Sequence, residues 1–203
     1  GPRFRLDAEV VRDYALATSG LLTTQVGGRS VKPYQPAGVW EPIAMPSSNT
    51  RFYSQDHGED LYRRSLYTFW KRAAPSPSML IFDAPTRESC TVQRERTNTP
   101  LQALVTMNAP QFFEAALHLA SASEQHTNTL DGRLDYMSAR LLSRPLTTSE
   151  RAIVSGSYQE FMRHYDSHPD DARAALSVGE KRTTPQEGAA SLASLAMVAN
   201  QLM

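Results

Sequence analysis

Four prolines in residues 27–50, Pro33, Pro36, Pro42 and Pro46, forbid a helix or a central strand there. Each removes an amide donor and fixes the backbone, and Gly27, Gly28 and Gly38 add turns. A free tether would be poor in large apolar groups, yet Tyr34, Val39, Trp40, Ile43 and Met45 fall in this stretch. The segment is therefore expected to be a packed strap, not a linker.

Elsewhere the punctuation favours helices. Asp7 can cap a helix over 6–20 that Gly20 ends, with Val10, Tyr14, Ala17 and Leu21 at helical spacing. From residue 98 onward the pattern is helical throughout. Helices start near Thr99 and Pro110, then cover 130–142, 148–165 and 188–203, with a short piece near 170–177. Thr147 and Glu150 form a capping box, and Pro145 separates two helices. The segment "RRSLYTFWKR", residues 63–72, suits either a helix face or, by its aromatic and β-branched content, a short strand; the strand is preferred. The expected fold is mainly α: an irregular helical domain with a small β or extended element and the Pro-rich strap. Residues 1–203 read as a single domain with its helical part at 98–203.

Composition narrows the function classes. Basic and acidic residues balance at 21 each, so the chain has no long-range attraction for nucleic acid. A lone cysteine, Cys90, cannot make an internal disulfide, a thiolate zinc cage or a two-cysteine haem attachment. No apolar run is long enough to span a bilayer. Both ends read like cuts in a longer protein.

The densest signal is "RERTNTPLQALVTMN", residues 94–108. Thr99 as N-cap, Pro100 at the first helical position and Gln102 at the third make a capping box, with Leu101, Leu104 and Val105 expected to face the core. Arg94 and Arg96 are unfavourable beside the positive end of that helix unless something anionic compensates them. Residues 61–100 carry seven basic side chains and three acidic ones. Two arrangements answer this surplus. In one, a structural network joins Arg63, Arg72, Arg94 and Gln102 to Asp83 and Glu88, or to acids such as Asp56 and Glu59. In the other, Arg64, Tyr67, Arg96, Asn98 and Thr99 hold an anionic or polyhydroxyl ligand.

The ordered blocks "LYRRSLYTFWKR", "FDAPTRE", "RTNTPLQAL" and "NAPQFFEAA" resemble a bacterial domain of unknown function at the C-terminal end of planctomycete cytochrome-c-type proteins. The similarity runs from "RFRLDAEVVRDYALATSGLL" to the terminal "LAMVANQLM". Its motifs fall on Arg63, Arg64, Tyr67, Arg72, Asp83, Arg96, Thr97, Thr99 and Gln102. The resemblance implies an exported, multidomain parent, periplasmic or otherwise extracytoplasmic, whose upstream domains, often with a c-type haem module, are this chain's partners. It implies no established activity and no cofactor in this chain. Relatives carry Asn-Asp-Pro where this chain has Asn108-Ala109-Pro110, which removes a helix cap and one candidate acid.

Catalytic signatures are missing: there is no nucleophile elbow, phosphate loop or dinucleotide fingerprint. Glu160, His164 and His168 fall four apart, a spacing that can hold a metal, but Pro169 follows at once. That group reads as a solvated helix terminus, and no metal site is assigned. Asp56, Glu59 and Asp60 lack the alternating spacing of a calcium loop. The leading expectation is a non-catalytic accessory domain of a cytochrome-c-linked envelope protein. The alternative is the substrate-gripping domain of a haem-coupled oxidoreductase acting on sugars or polyols.

Overall fold

Helix-start and helix-stop chemistry sets most of the architecture in the computed structural model, which describes residues 5–203. The α-helices among them are α1 Ala8–Ser19, α2 Pro77–Ile81, α3 Pro100–Asn108, α4 Pro110–His126, α5 Leu130–Leu142, α6 Thr148–Ser167, α7 Pro169–Leu176 and α8 Ala189–Leu202. Four of them, α2, α3, α4 and α7, begin on a proline, where the missing amide costs no helical hydrogen bond. The mainly α expectation therefore holds. No helix among the described residues is long and apolar enough to cross a membrane.

Contacts group the chain into two compact units, Gly1–Tyr14 with Leu22–Val105, and Ala15–Leu21 with Thr106–Met203. The second unit is a helical bundle centred on α4 and α8. Its core alternates leucine with very small residues: Leu117 and Leu119 with Ala115, Ala116 and Ala120 on α4, and Leu192 and Leu195 with Ala193, Ala196 and Ala199 on α8. Small side chains let the two backbones approach, and the leucines fill the remaining space. Buried hydroxyls return their protons to their own helix. Ser123 donates to the Ala120 carbonyl and Ser194 to that of Ala190, each at 2.7 Å. Thr147 and Glu150 cap α6 reciprocally, at 3.3 and 2.9 Å. Gly20, at φ +79°, ends α1, with the Leu21 amide bonded to the Leu16 carbonyl at 2.9 Å.

Two buried glutamates on α4 then fasten the loop before α8. Glu114 Oε1 accepts the amides of Glu180 and Lys181, each at 2.8 Å. Glu124 accepts the Gln186 amide at 3.1 Å and the Ser191 hydroxyl at 3.4 Å. Arg133, itself buried, forks onto Glu187 at 2.8 and 2.5 Å.

The first unit is mostly irregular. In the strap, Trp40 is fully buried, edge-on to Tyr53 at 4.8 Å and covered by the Lys71 ammonium at 4.6 Å. Ile43 and Met45, expected to pack, are exposed instead, so the strap is anchored mainly by its tryptophan.

Three expectations fail for one reason, which is that polar side chains take buried positions assigned to apolar ones. Helix α1 buries Ala8, Arg12, Ala15 and Leu16, and of the four residues at helical spacing Leu21 is buried while Val10 and Ala17 face outward. Helix α3 buries Gln102 and leaves Leu101 and Leu104 exposed. Residues 63–72 form no strand: a 3-10 turn occupies Ser65–Tyr67, and only isolated bridges pair Thr23 with Arg63 and Val31 with Thr68. Between those bridges the loop around Gly27 folds toward the buried Arg63 side chain, which interrupts any ladder.

Gly179 sets a test of the α4 hook. It sits at φ +85°, and an added Cβ would lie 2.4 Å from Glu114 Cδ. Gly179→Ala should cost about 2–4 kcal/mol from backbone strain and displacement of that carboxylate. The measurement is the urea unfolding midpoint, with Gly156→Ala as the control: it meets open space inside α6 and should stabilise slightly.

Candidate functional site

The surplus of arginine in residues 61–100 resolves into two groups of opposite character, both within the first unit. One is buried. Arg63 Nη1 donates to the Arg29 carbonyl at 2.8 Å and Nη2 to the carbonyls of Gly27 and Gln25, the latter at 3.5 Å. Its guanidinium lies 4.0 Å from the Tyr67 ring centroid. The Tyr67 hydroxyl in turn accepts the Gly27 amide at 2.9 Å. Beside it Arg12, also buried, donates to the carbonyls of Arg63 and Leu61 at 2.8 and 2.6 Å and to Ser65 Oγ at 3.2 Å. Burial lowers its pKa to about 10, against the pull of Asp13 and Tyr53, so it stays charged at neutral pH. These two cations are solvated by peptide oxygens and an aromatic face, the groups that a flat fork of five donors can use together.

The other group lies at the surface and is matched by acids of α1. Arg94 forks onto Glu9 at 2.7 and 3.3 Å. Arg96 reaches Asp7 at 3.5 Å, Arg87 lies 3.9 Å from Glu9, and Arg64 lies 3.4 Å from Asp13. Burial raises the Glu9 pKa, but the bond from Arg94, its own backbone bond and the charges of Arg94 and Arg87 outweigh that and hold it below the usual value. The network therefore exists with different acids from those expected. Asp83 pairs with no arginine among the described residues: from φ +62° it accepts the Thr97 amide at 2.7 Å and the Thr97 hydroxyl at 3.0 and 2.9 Å. Glu88 and Arg72 are exposed and take part in no ion pair among the described residues. Asp56 and Asp60 pair with Arg29 instead, at 3.0 and 2.8 Å. The signal for the true partners was available: Asp7, Glu9 and Asp13 crowd the first half of one helix.

Gln102 ties the corner together. Its Oε1 accepts the Thr99 amide at 3.0 Å, and its Nε2 donates to the Ile81 carbonyl at 2.8 Å and to Thr97 Oγ1 at 3.2 Å. The reach-back half of the expected capping box is thus present, and the same side chain holds α2 to the turn before α3. Arg5 completes the corner by donating to the Thr97 carbonyl and, at 2.8 Å, to Asn98 Oδ1.

A cavity of about 750 Å³ opens here, lined by Asp7, Gln93, Arg94, Glu95, Arg96 and Thr97. Of the proposed ligand-binding residues only Arg96 lines it. Arg64, Tyr67, Asn98 and Thr99 do not. Among the described residues two arginines and two carboxylates share the wall, so their formal charges cancel.

Fold and site together define a mainly helical domain whose arginines are spent on holding loops. The chain belongs to a family described as PSD1, protein of unknown function (DUF1553), whose model matches residues 1–158. The match stops short of the terminal "LAMVANQLM". No curated protein and no solved structure matches the chain.

Two outcomes test the two groups. Arg63→Lys leaves several carbonyls without a partner, because an ammonium cannot span the fork. It should destabilise by about 3 kcal/mol, read as a Tm loss. Arg94→Ala should cost only about 1 kcal/mol at neutral pH. Because the Glu9 pKa is depressed, the pair contributes fully above the ordinary value of 4.5 and is lost as pH falls through the lower folded-state value. Urea midpoints measured at neutral pH and again below the ordinary carboxylate range should therefore converge for wild type and Arg94→Ala.

Proposed function

We propose that this chain is a non-catalytic accessory domain of a larger, exported, cytochrome-c-linked protein of the bacterial cell envelope, with its arginine corner serving as a structural network. The observation that carries this reading is the fork of Arg94 on Glu9, seconded by the balanced charges of the cavity wall. A grip for an anionic or polyhydroxyl substrate needs donors left open in the resting state. Here the Thr99 amide already donates to Gln102 Oε1, and the Tyr67 hydroxyl and Asn98 Oδ1 are already engaged as acceptors within the protein. Export, the upstream partner domains and the haem module are supported by the four sequence blocks that resemble cytochrome-c-type proteins.

The reading of a substrate-gripping domain in a haem-coupled oxidoreductase draws on Arg96 alone, half exposed on the cavity and held only at 3.5 Å. Thermal-shift titration with phosphate, citrate and a panel of hexoses and polyols separates the two. The accessory role expects no saturable stabilisation by any of them and a lower Tm in Arg94→Ala. A saturable rise in Tm that disappears in Arg96→Ala, with that variant's own melting curve unchanged, would overturn it. Purifying the full-length gene product from its natural host, followed by haem staining, tests the cytochrome link. Covalent haem in an envelope fraction is expected, and a haem-free cytosolic product would refute it.

A further inference from the structure

The end of α6 and the start of α7 bring together side chains that no part of the arginine network uses. His168 is at once the C-cap of α6 and the N-cap of α7, with Pro169 enforcing the break. Its backbone amide donates to the His164 carbonyl at 2.9 Å, and the Asp171 amide donates to the His168 carbonyl at 3.1 Å. These bonds fix three residues on one turn: His164 and His168 one helical turn apart, and Asp171 at the third position of the next helix. The imidazole rings of His164 and His168 stack with centroids 4.6 Å apart and planes 19° from parallel. His164 Nε2 lies 3.1 Å from Asp171 Oδ2. One ligand atom from each of the three residues lies within 4.8 Å of the others.

From this geometry we propose that His164, His168 and Asp171 form a surface site for a divalent transition-metal ion of the zinc class, one that clips α6 to α7. The donor set of two imidazoles and a carboxylate suits such ions and is a poor match for calcium or magnesium, which take oxygen ligands. His168 Nδ1 lies 3.0 Å from the His164 carbonyl oxygen. A carbonyl only accepts, so the ring proton sits on Nδ1 and the lone pair is presented on Nε2. Imidazoles that ligate metals are held in this way, with the second nitrogen donating to a carbonyl or carboxylate. The Ser167 hydroxyl, 3.0 Å from the same nitrogen and 2.9 Å from the same carbonyl, supports that orientation. At His164, an ion between Nε2 and the Asp171 carboxylate takes the Nε2 lone pair, with the single proton of the neutral imidazole on Nδ1. Ligands from two successive helices, separated by a proline, make the ion a staple across the corner.

The sequence spacing alone pointed to Glu160, His164 and His168, and it missed Asp171 because that residue comes from the next helix. The cluster also lies beyond residue 158, where the family model ends, so it is a feature of this chain and not of the matched segment.

Isothermal titration of the chelator-stripped full chain with Zn²⁺ tests the site. One saturable Zn²⁺ per chain is expected, and His164→Ala, His168→Ala and Asp171→Asn should each weaken it by about tenfold or more. Glu160→Gln should bind like wild type. In the wild-type protein, Zn²⁺ should shift the Nε2 ¹⁵N resonances of His164 and His168 together, a readout that needs no variant. Absence of saturable binding, binding that survives His164→Ala with His168→Ala, or resonance shifts confined to other histidines would each overturn the proposal. A loss in Glu160→Gln as large as in Asp171→Asn would overturn the assignment of Asp171 as the third ligand.

Discussion

A guanidinium buried among peptide carbonyls is the interaction on which the irregular first unit depends. That unit has little periodic hydrogen bonding of its own, since short 3-10 turns and extended segments leave many carbonyls unpaired. Arg63 collects those of residues 25–29, and Arg12 collects those of residues 61 and 63. Because Arg12 bonds the carbonyl of Arg63 itself, the two cations are coupled in series, and moving one displaces an acceptor of the other. The entropy of ordering a proline-rich loop is large. Multi-dentate donors offset it where no helix or sheet can.

The second unit solves the same problem with the opposite charge. Residues 177–188 leave several amides in need of partners. Glu114 and Glu124 rise from a regular helix to accept them. Burying a carboxylate is costly unless it is well hydrogen-bonded. Each of these glutamates meets a loop backbone amide, and Arg133, linked to Glu187, adds a nearby positive charge. Loops in both units are therefore held by buried charged side chains, by cations where carbonyls are exposed and by anions where amides are.

This division explains what could be read in the sequence. Helix boundaries were legible because they depend on local chemistry: Thr147 with Glu150, Gly20, and the prolines at positions 100, 110, 145 and 169 act within a few residues of themselves. Arginine's need for acids was legible as a surplus of charge over 61–100, but the acids were not, since Glu9 and Arg94 are far apart in the chain and only the fold makes them neighbours. Facing was least legible. A pattern of apolar periodicity assigns Arg12 and Gln102 to solvent, yet both are buried, and the leucines flanking Gln102 turn outward as a result. Hydropathy cannot see that a long polar side chain with three satisfied hydrogen bonds is as acceptable inside as a leucine.

The same accounting bears on whether the arginine corner is a site or a joint. Any ligand competing for Arg94 must displace a two-point bond to Glu9 and leave that carboxylate, mostly buried, beside the Arg87 charge alone. The loss of a charge-assisted fork offsets much of what a new anion would contribute. Arg63 is further out of reach, since its displacement would strip three loop carbonyls of their donor. Only Arg96 can turn toward the cavity at little cost. One half-exposed cation that shares the cavity wall with Glu95 and Asp7 gives a weak, salt-sensitive attraction, too little by itself to hold and orient a substrate.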